Sequence, residues 1–166
     1  MYIRNIEQRD DAAIKTIIRQ SLAEFGLDVP GTAYFDPQLG NLSAFYAGVQ
    51  GAYFVACDDS GHVIGGAGYA PIGDGQDISD NYHGIAELQK LYVSEESRGS
   101  GASYRLIEHI EHSAQQHGFT TLYLETHHAL EAAMHVYERL GFQPIDGPLG
   151  DAQHTTMDRF YTKVIA

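Results

Sequence analysis

The sequence predicts an α/β (α+β mixed) fold, with one mixed sheet in a single domain spanning residues 1–166. Three observations carry this prediction. Apolar residues recur at helical spacing in long stretches and crowd into short runs between them. Glycines stand where two of those helices should stop, at Gly118 and Gly141. Hairpin-type connections alternate with strand–helix–strand crossovers, which require antiparallel and parallel pairs in one sheet.

The elements follow in order. Tyr2 to Ile6 alternates enough for a short strand. From Arg9 to Glu24, Ala13, Ile14, Ile17, Ile18 and Leu22 form one apolar stripe, and Asp10 is the expected N-cap. Gly26 to Gly40 contains Pro30, Gly31 and Pro37 and reads as loop; Leu42 to Ala47 reads as a short helix. Ala52–Cys57 and His62–Ala70 are strands joined by the hairpin turn Asp58-Asp59-Ser60-Gly61. Pro71 to His83 is a Gly- and Asp-rich loop, and Gly84 to Val93 is the next strand. Simple alternation puts Glu87, Gln89, Leu91 and Val93 on one face of it and Leu88, Lys90 and Tyr92 on the other. Ser100–His117 is a helix stacked on Ala102, Leu106, Ile110 and Ala114. Thr121–Glu125 is a strand and Ala129–Leu140 a helix. Phe142–Ile145 and Asp158–Ile165 are the closing strands.

Composition narrows the function classes. The 166 residues suffice for one sizeable core without a disulfide or a metal. A net charge of −12 opposes binding to nucleic acid or an anionic membrane. The lone cysteine, Cys57, excludes an intrachain disulfide and reads as core. The polar N-terminus lacks a signal-peptide core, and the longest uncharged run, Pro37 to Cys57, is too polar to span a membrane. A soluble, cytoplasmic protein is expected.

The most informative segment runs from Leu88 to Tyr104: a strand ends, small residues turn, and a long helix begins. The first N–H groups of such a helix lack internal partners and carry the positive dipole end. Small residues let an anion approach them, so Arg98, Gly99, Ser100, Gly101, Ala102 and Ser103 form a candidate phosphate cradle. A plain left-handed turn is the simpler alternative. A Rossmann fingerprint would need glycine at Tyr104, and a Walker loop needs Gly-Lys-Ser/Thr, which is absent.

Strand, Arg98-Gly99-Ser100-Gly101-Ala102-Ser103, helix resembles the acetyl-CoA signature of the GNAT superfamily of N-acetyltransferases, Arg/Gln-x-x-Gly-x-Gly/Ala. Ser103 takes its last position. Tyr137-Glu138-Arg139-Leu140-Gly141-Phe142 resembles the family's Tyr-x-x-x-Gly-Phe, with Leu130 where an asparagine often precedes it. The resemblance implies a sheet whose neighbouring parallel strands, Gly84–Val93 and Thr121–Glu125, splay apart. It implies pantetheine pairing with Leu91, Tyr92 and Val93, a pyrophosphate on Arg98 to Ser103, acetyl-CoA as co-substrate and no metal. The partner is then a small-molecule or peptide amine, with a homodimer as the one assembly to consider. An acyl-CoA-binding sensor without turnover is the competing class.

Acetyl transfer to an amine needs a base, a donor to the carbonyl oxygen and a proton for the leaving thiolate. By the same resemblance, Glu87 is the candidate base; a strand-end charge or a substrate anchor remain alternatives. Tyr137 matches the tyrosine that protonates the coenzyme A sulfur; a core aromatic beside Ala133 and Leu140 is its alternative. The carbonyl oxygen is expected to meet a backbone N–H near Tyr92 or Val93. Glu125-Thr126-His127-His128 should border the same cleft, with His127 or His128 as another base and Thr126 as a helix N-cap. His109 and His112 share a helix but lie off its buried face, which favours a solvated face over a metal site. Acceptor-side residues are expected from Phe25, Tyr34, Phe35, Asp36, Phe45 and Tyr46 and from Asp146 to Met157, including His154. Between Gln20 and Glu138 the only Lys or Arg residues are Lys90, Arg98 and Arg105, and all three are expected to bracket the cradle.

Overall fold

The computed structural model describes residues 1–72, 82–151 and 154–166. Seven strands make one sheet: β1 (Tyr2–Asn5), β2 (Ala52–Cys57), β3 (Val63–Pro71), β4 (Ile85–Val93), β5 (Thr121–Thr126), β6 (Gln143–Ile145) and β7 (Arg159–Val164). Their order is β1-β2-β3-β4-β5-β7-β6, and every neighbouring pair is antiparallel except β4–β5. The helices are α1 (Asp11–Glu24), α2 (Leu42–Ala47), α3 (Ala102–Gln116) and α4 (Glu131–Arg139). None of the helices is long and apolar enough to cross a membrane. The loop expected from Pro71 to His83 falls mostly outside the described residues.

Two cores form, on either side of the sheet. Ile14, Ile18 and Leu22 of α1 join Leu42 and Tyr46 of α2, Tyr53, Val55 and Cys57. Leu106, Ile107, Ile110 and Ala114 of α3 join Leu88, Leu122, Leu124 and Tyr137. The apolar stripes read from the sequence are therefore the buried faces.

Helix starts differ from expectation. Asp10 does not cap α1 with its side chain. Its carboxylate instead accepts the Glu7 N–H at 2.8 Å and pairs with Arg4 at 2.6 Å, closing a 3₁₀ turn just ahead of the helix. Two further 3₁₀ turns, Ala33–Phe35 and Pro37–Gly40, lie in the stretch read as loop. α3 begins after Gly101, whose φ of +83° is open to glycine but strained for other residues. α4 begins at Glu131, and Thr126 is not its cap: Thr126 is buried at the end of β5 and Leu130 takes the N-cap position.

Two features of β4 position the site. First, β4 pairs with β5 only at Ile85↔Thr121, Ala86↔Leu122 and Glu87↔Tyr123. Beyond these pairs β4 follows β3 to Val93, while β5 follows β7 to Thr126, so the two strands splay. Second, β4 carries a bulge. Gly68 faces Gln89 and Gly66 faces Tyr92, so Lys90 and Leu91 both lie opposite Ala67. Lys90 has φ +50°, the only positive value at a non-glycine among the described residues.

The bulge corrects the alternation. Glu87, Gln89 and Tyr92 share the face of α1, and Leu88 and Val93 share the other, because one extra residue reverses the pleat. Its support comes from Tyr53. That ring lies over β3 where Gly66 and Gly68 leave room; a Cβ at either glycine would come within 2.6 Å of it. The Tyr53 hydroxyl then donates to the Lys90 carbonyl at 2.9 Å.

Candidate active site

Three groups of residues meet where β4 and β5 part. The first is the turn before α3. Gly99 and Gly101 have φ of +77° and +83°, and a Cβ on either would meet open space. Backbone conformation, not crowding, therefore calls for glycine here. No side chain caps α3. Among the described residues the N–H groups of Gly101, Ala102, Ser103 and Tyr104 have no hydrogen-bond partner, so they point outward at the positive end of the helix.

Arg98 is placed differently from expectation. Its guanidinium donates to both oxygens of Glu24, at 2.8 and 2.6 Å, and lies 5.9 Å from the centre of the Phe25 ring. Glu24 ends α1, so this pair ties the cradle to that helix. Arg105 donates to the Met1 carbonyl at 2.9 Å. Lys90 does not bracket the cradle at all. The bulge turns it to the other side, where its Nζ meets Asp36 at 2.8 Å with the side chain only 4% exposed.

The second group lines a narrow cleft, with about 20 Å³ of room, that opens to solvent. Glu87 lines it, and its Oε2 accepts from Gln89 Nε2 at 2.9 Å. Gln89 is oriented by Tyr46, whose hydroxyl donates to Gln89 Oε1 at 2.7 Å. Burial pushes the Glu87 carboxyl up to about 7, with a further rise from Glu125; Gln89, His154 and Lys90 oppose it. Glu125 accepts the Tyr123 hydroxyl at 2.8 Å, and burial raises its carboxyl too. Opposite them Asp36 holds Lys90 and also His154 Nε2, at 2.8 Å. Burial alone would raise the Asp36 carboxyl; these two partners hold it below the usual range.

The third group is aromatic. Tyr137 of α4 is buried against Phe142 and Tyr161, with ring centroids 5.8 and 6.1 Å away. No hydrogen bond to its hydroxyl is made among the described residues. Burial, then Tyr161, raises its phenol well above the ordinary value, so it stays protonated. Tyr92 is raised by burial and next by Tyr137, which sets the α4 tyrosine near the free end of β4.

His127 and His128 lie outside the cleft. His128 Nδ1 meets Asp158 at 2.6 Å, and His127 Nδ1 accepts the Ala129 N–H at 3.1 Å. The three residues offer ligand atoms within 4.8 Å of one another, but these bonds already close the turn after β5. His109 and His112 are exposed, and Cys57 is fully buried. Sequence reasoning missed Gln89, Tyr123 and the binding of Lys90 and His154 to Asp36. The bulge that turns Lys90 has no local signal in β4; only the glycines of β3 opposite hint at it.

A split parallel pair, bare amides at a helix start and carboxyls in the cleft make up the candidate site. Residues 18–142 match the model of the acetyltransferase (GNAT) family. YjgM of Escherichia coli K12, described as an uncharacterized N-acetyltransferase, is 38% identical over 153 residues, which cover 92% of this chain and 87% of YjgM. A GNAT-family acetyltransferase from Staphylococcus aureus Mu50 shares the fold, with TM-score 0.83, 18% identity and 99% of each chain covered. A phosphinothricin acetyltransferase from Sinorhizobium meliloti, solved with acetyl-CoA, also shares it, with TM-score 0.75, 20% identity and 98% and 87% of the two chains covered. The chain belongs to the GNAT acetyltransferase family. It is an acyltransferase of the N-acetyltransferase kind.

Proposed function

We propose that this protein transfers acetyl from acetyl-CoA to a primary amine by direct attack within a ternary complex, through a single domain of residues 1–166. The observation that carries this reading is the pairing of a bare-amide cradle with a raised-pKa carboxyl, Glu87, at one strand split. The donor's pyrophosphate would lie on the turn from Gly99 to Ser103, on the bare N–H groups of Gly101, Ala102 and Ser103, with Arg98 at its side. Its pantetheine arm would run along Leu91, Tyr92 and Val93, where β4 has lost its neighbour on the β5 side. The Sinorhizobium enzyme supports the same donor here, since it shares the fold and was solved with acetyl-CoA.

Glu87 takes a proton from the ammonium, directly or through water. A carboxyl near 7 is a far better acceptor at neutral pH than an ordinary one. The neutral amine attacks the thioester carbon; the C–N bond forms and the C–S bond breaks. A backbone N–H near Tyr92 or Val93 stabilises the carbonyl oxygen as it gains charge. Tyr137 gives its proton to the departing sulfur, and the second proton of the attacking nitrogen restores the phenol, so the amide leaves neutral; a hydroxyl with no hydrogen bond among the described residues supports that role. Cys57 is sealed in the α1-side core, so a cysteine-linked acyl-enzyme is disfavoured.

Thiol release from acetyl-CoA with a panel of amines tests the proposal. Amine-dependent release supports it. Tight acetyl-CoA binding without release on any amine would move the protein to the class of acyl-CoA sensors.

A further inference from the structure

The cleft beside Glu87 carries information about its acceptor, given the acetyl-transfer reading above. Glu87 and Glu125 rise from neighbouring strands at the point where their pairing ends. Each has one oxygen engaged, by Gln89 and Tyr123 respectively. Among the described residues, Glu87 Oε1 and Glu125 Oε2 accept no hydrogen bond. Asp151 lies exposed on the same cleft. Among the described residues the basic side chains that line it, Lys90 and His154, are both engaged by Asp36 at 2.8 Å.

This arrangement is asymmetric toward charge. An incoming carboxylate would face three carboxyls and would have to break the Asp36 pairs to gain a partner. An ammonium would meet open carboxylate oxygens in a site partly shielded from water, where such a contact is worth most. One ammonium at Glu87 leaves Glu125 unpaired, and a second would complete it. Burial raises both carboxyls, and a cation beside them would favour their charged forms.

We propose that the acceptor is a short aliphatic diamine or polyamine, one amine delivered to Glu87 and the second held by Glu125, with no carboxylate of its own. Three acceptors of one skeleton test this: 1-aminobutane, 1,4-diaminobutane and ornithine, which adds a carboxylate to the diamine. Their kcat/KM values are measured by thiol release. The diamine is expected to exceed each of the others by about tenfold, the worth of one charged hydrogen bond. Glu125→Gln should collapse the diamine-to-monoamine ratio toward one. Equal values for the three acceptors, a preference for ornithine, or a ratio untouched by Glu125→Gln would overturn the proposal. Calorimetric binding of the diamine and the monoamine to the wild-type protein with coenzyme A present supplies a second reading. Diamine binding no tighter than monoamine binding overturns the charge argument even without turnover. Absence of thiol release with every amine would instead overturn the transfer reading.

Discussion

At the residue scale, Glu87 and Tyr137 are governed by burial in opposite chemical senses. Burial raises both groups; this leaves Glu87 able to change charge near neutrality and locks Tyr137 in its protonated form. A base must be ionised, so kcat/KM should rise with pH to a midpoint near 7 and then level off. In Glu87→Gln that limb should vanish, as a pH–rate series would show. The same shift has a cost. The folded state holds its proton above the ordinary carboxylate range, so stability falls as pH rises from that range through about 7. Glu87→Gln should therefore be more stable than wild type at pH 8, by about 1–3 kcal/mol, with the gain lost at pH 4. Denaturant melts at the two pH values check it. For Tyr137→Phe, kcat is expected to fall by about 10²–10⁴ with the melting temperature nearly unchanged, since the lost hydroxyl has no hydrogen-bond partner among the described residues.

At the element scale, β4 is shaped by its neighbours as much as by its own residues. Its alternating pattern holds as far as Gln89; the bulge then reverses it. Reading Glu87 and Gln89 on one face was correct, and carrying that face on to Leu91 and Val93 was not. The physical reason is long-range: the Tyr53 ring over the β3 glycines and its bond to the Lys90 carbonyl. Tyr53→Phe should cost about 1–3 kcal/mol, because that buried carbonyl loses its donor. The equilibrium unfolding midpoint measures it. The turn before α3 was legible, because glycine at φ above zero and an uncapped helix start are local features. The Arg98–Glu24 pair was not, since its partners are 74 residues apart. Arg98→Ala should weaken acetyl-CoA binding about tenfold, both by losing a cation and by leaving Glu24 facing the phosphates. Adding Glu24→Gln should recover part of that loss in a calorimetric titration.

At the scale of the whole molecule, the net charge of −12 is arranged rather than diffuse. Arg98 and Arg105 stay near the cradle, while Lys90 is neutralised by Asp36 inside the cleft. The surface therefore repels a polyanion but favours the approach of a cationic amine. Raising ionic strength from low to about 0.3 M should raise KM for the amine about threefold, by screening that field, without a matching rise for acetyl-CoA. Steady-state kinetics over a salt series would check both. The class of fold, the order of its strands and helices, the buried stripes of α1 and α3 and the glycine turn before α3 were decided by the sequence itself. Each depends on the period of apolar residues or on glycine at a turn, and both act over a few neighbouring residues. The tertiary structure alone decided the bulge, the capture of Lys90 and His154 by Asp36, and the meeting of Glu87 with Glu125. Those contacts join segments far apart in the chain, and only the packed sheet brings their side chains together and removes the water that would otherwise mask their charges.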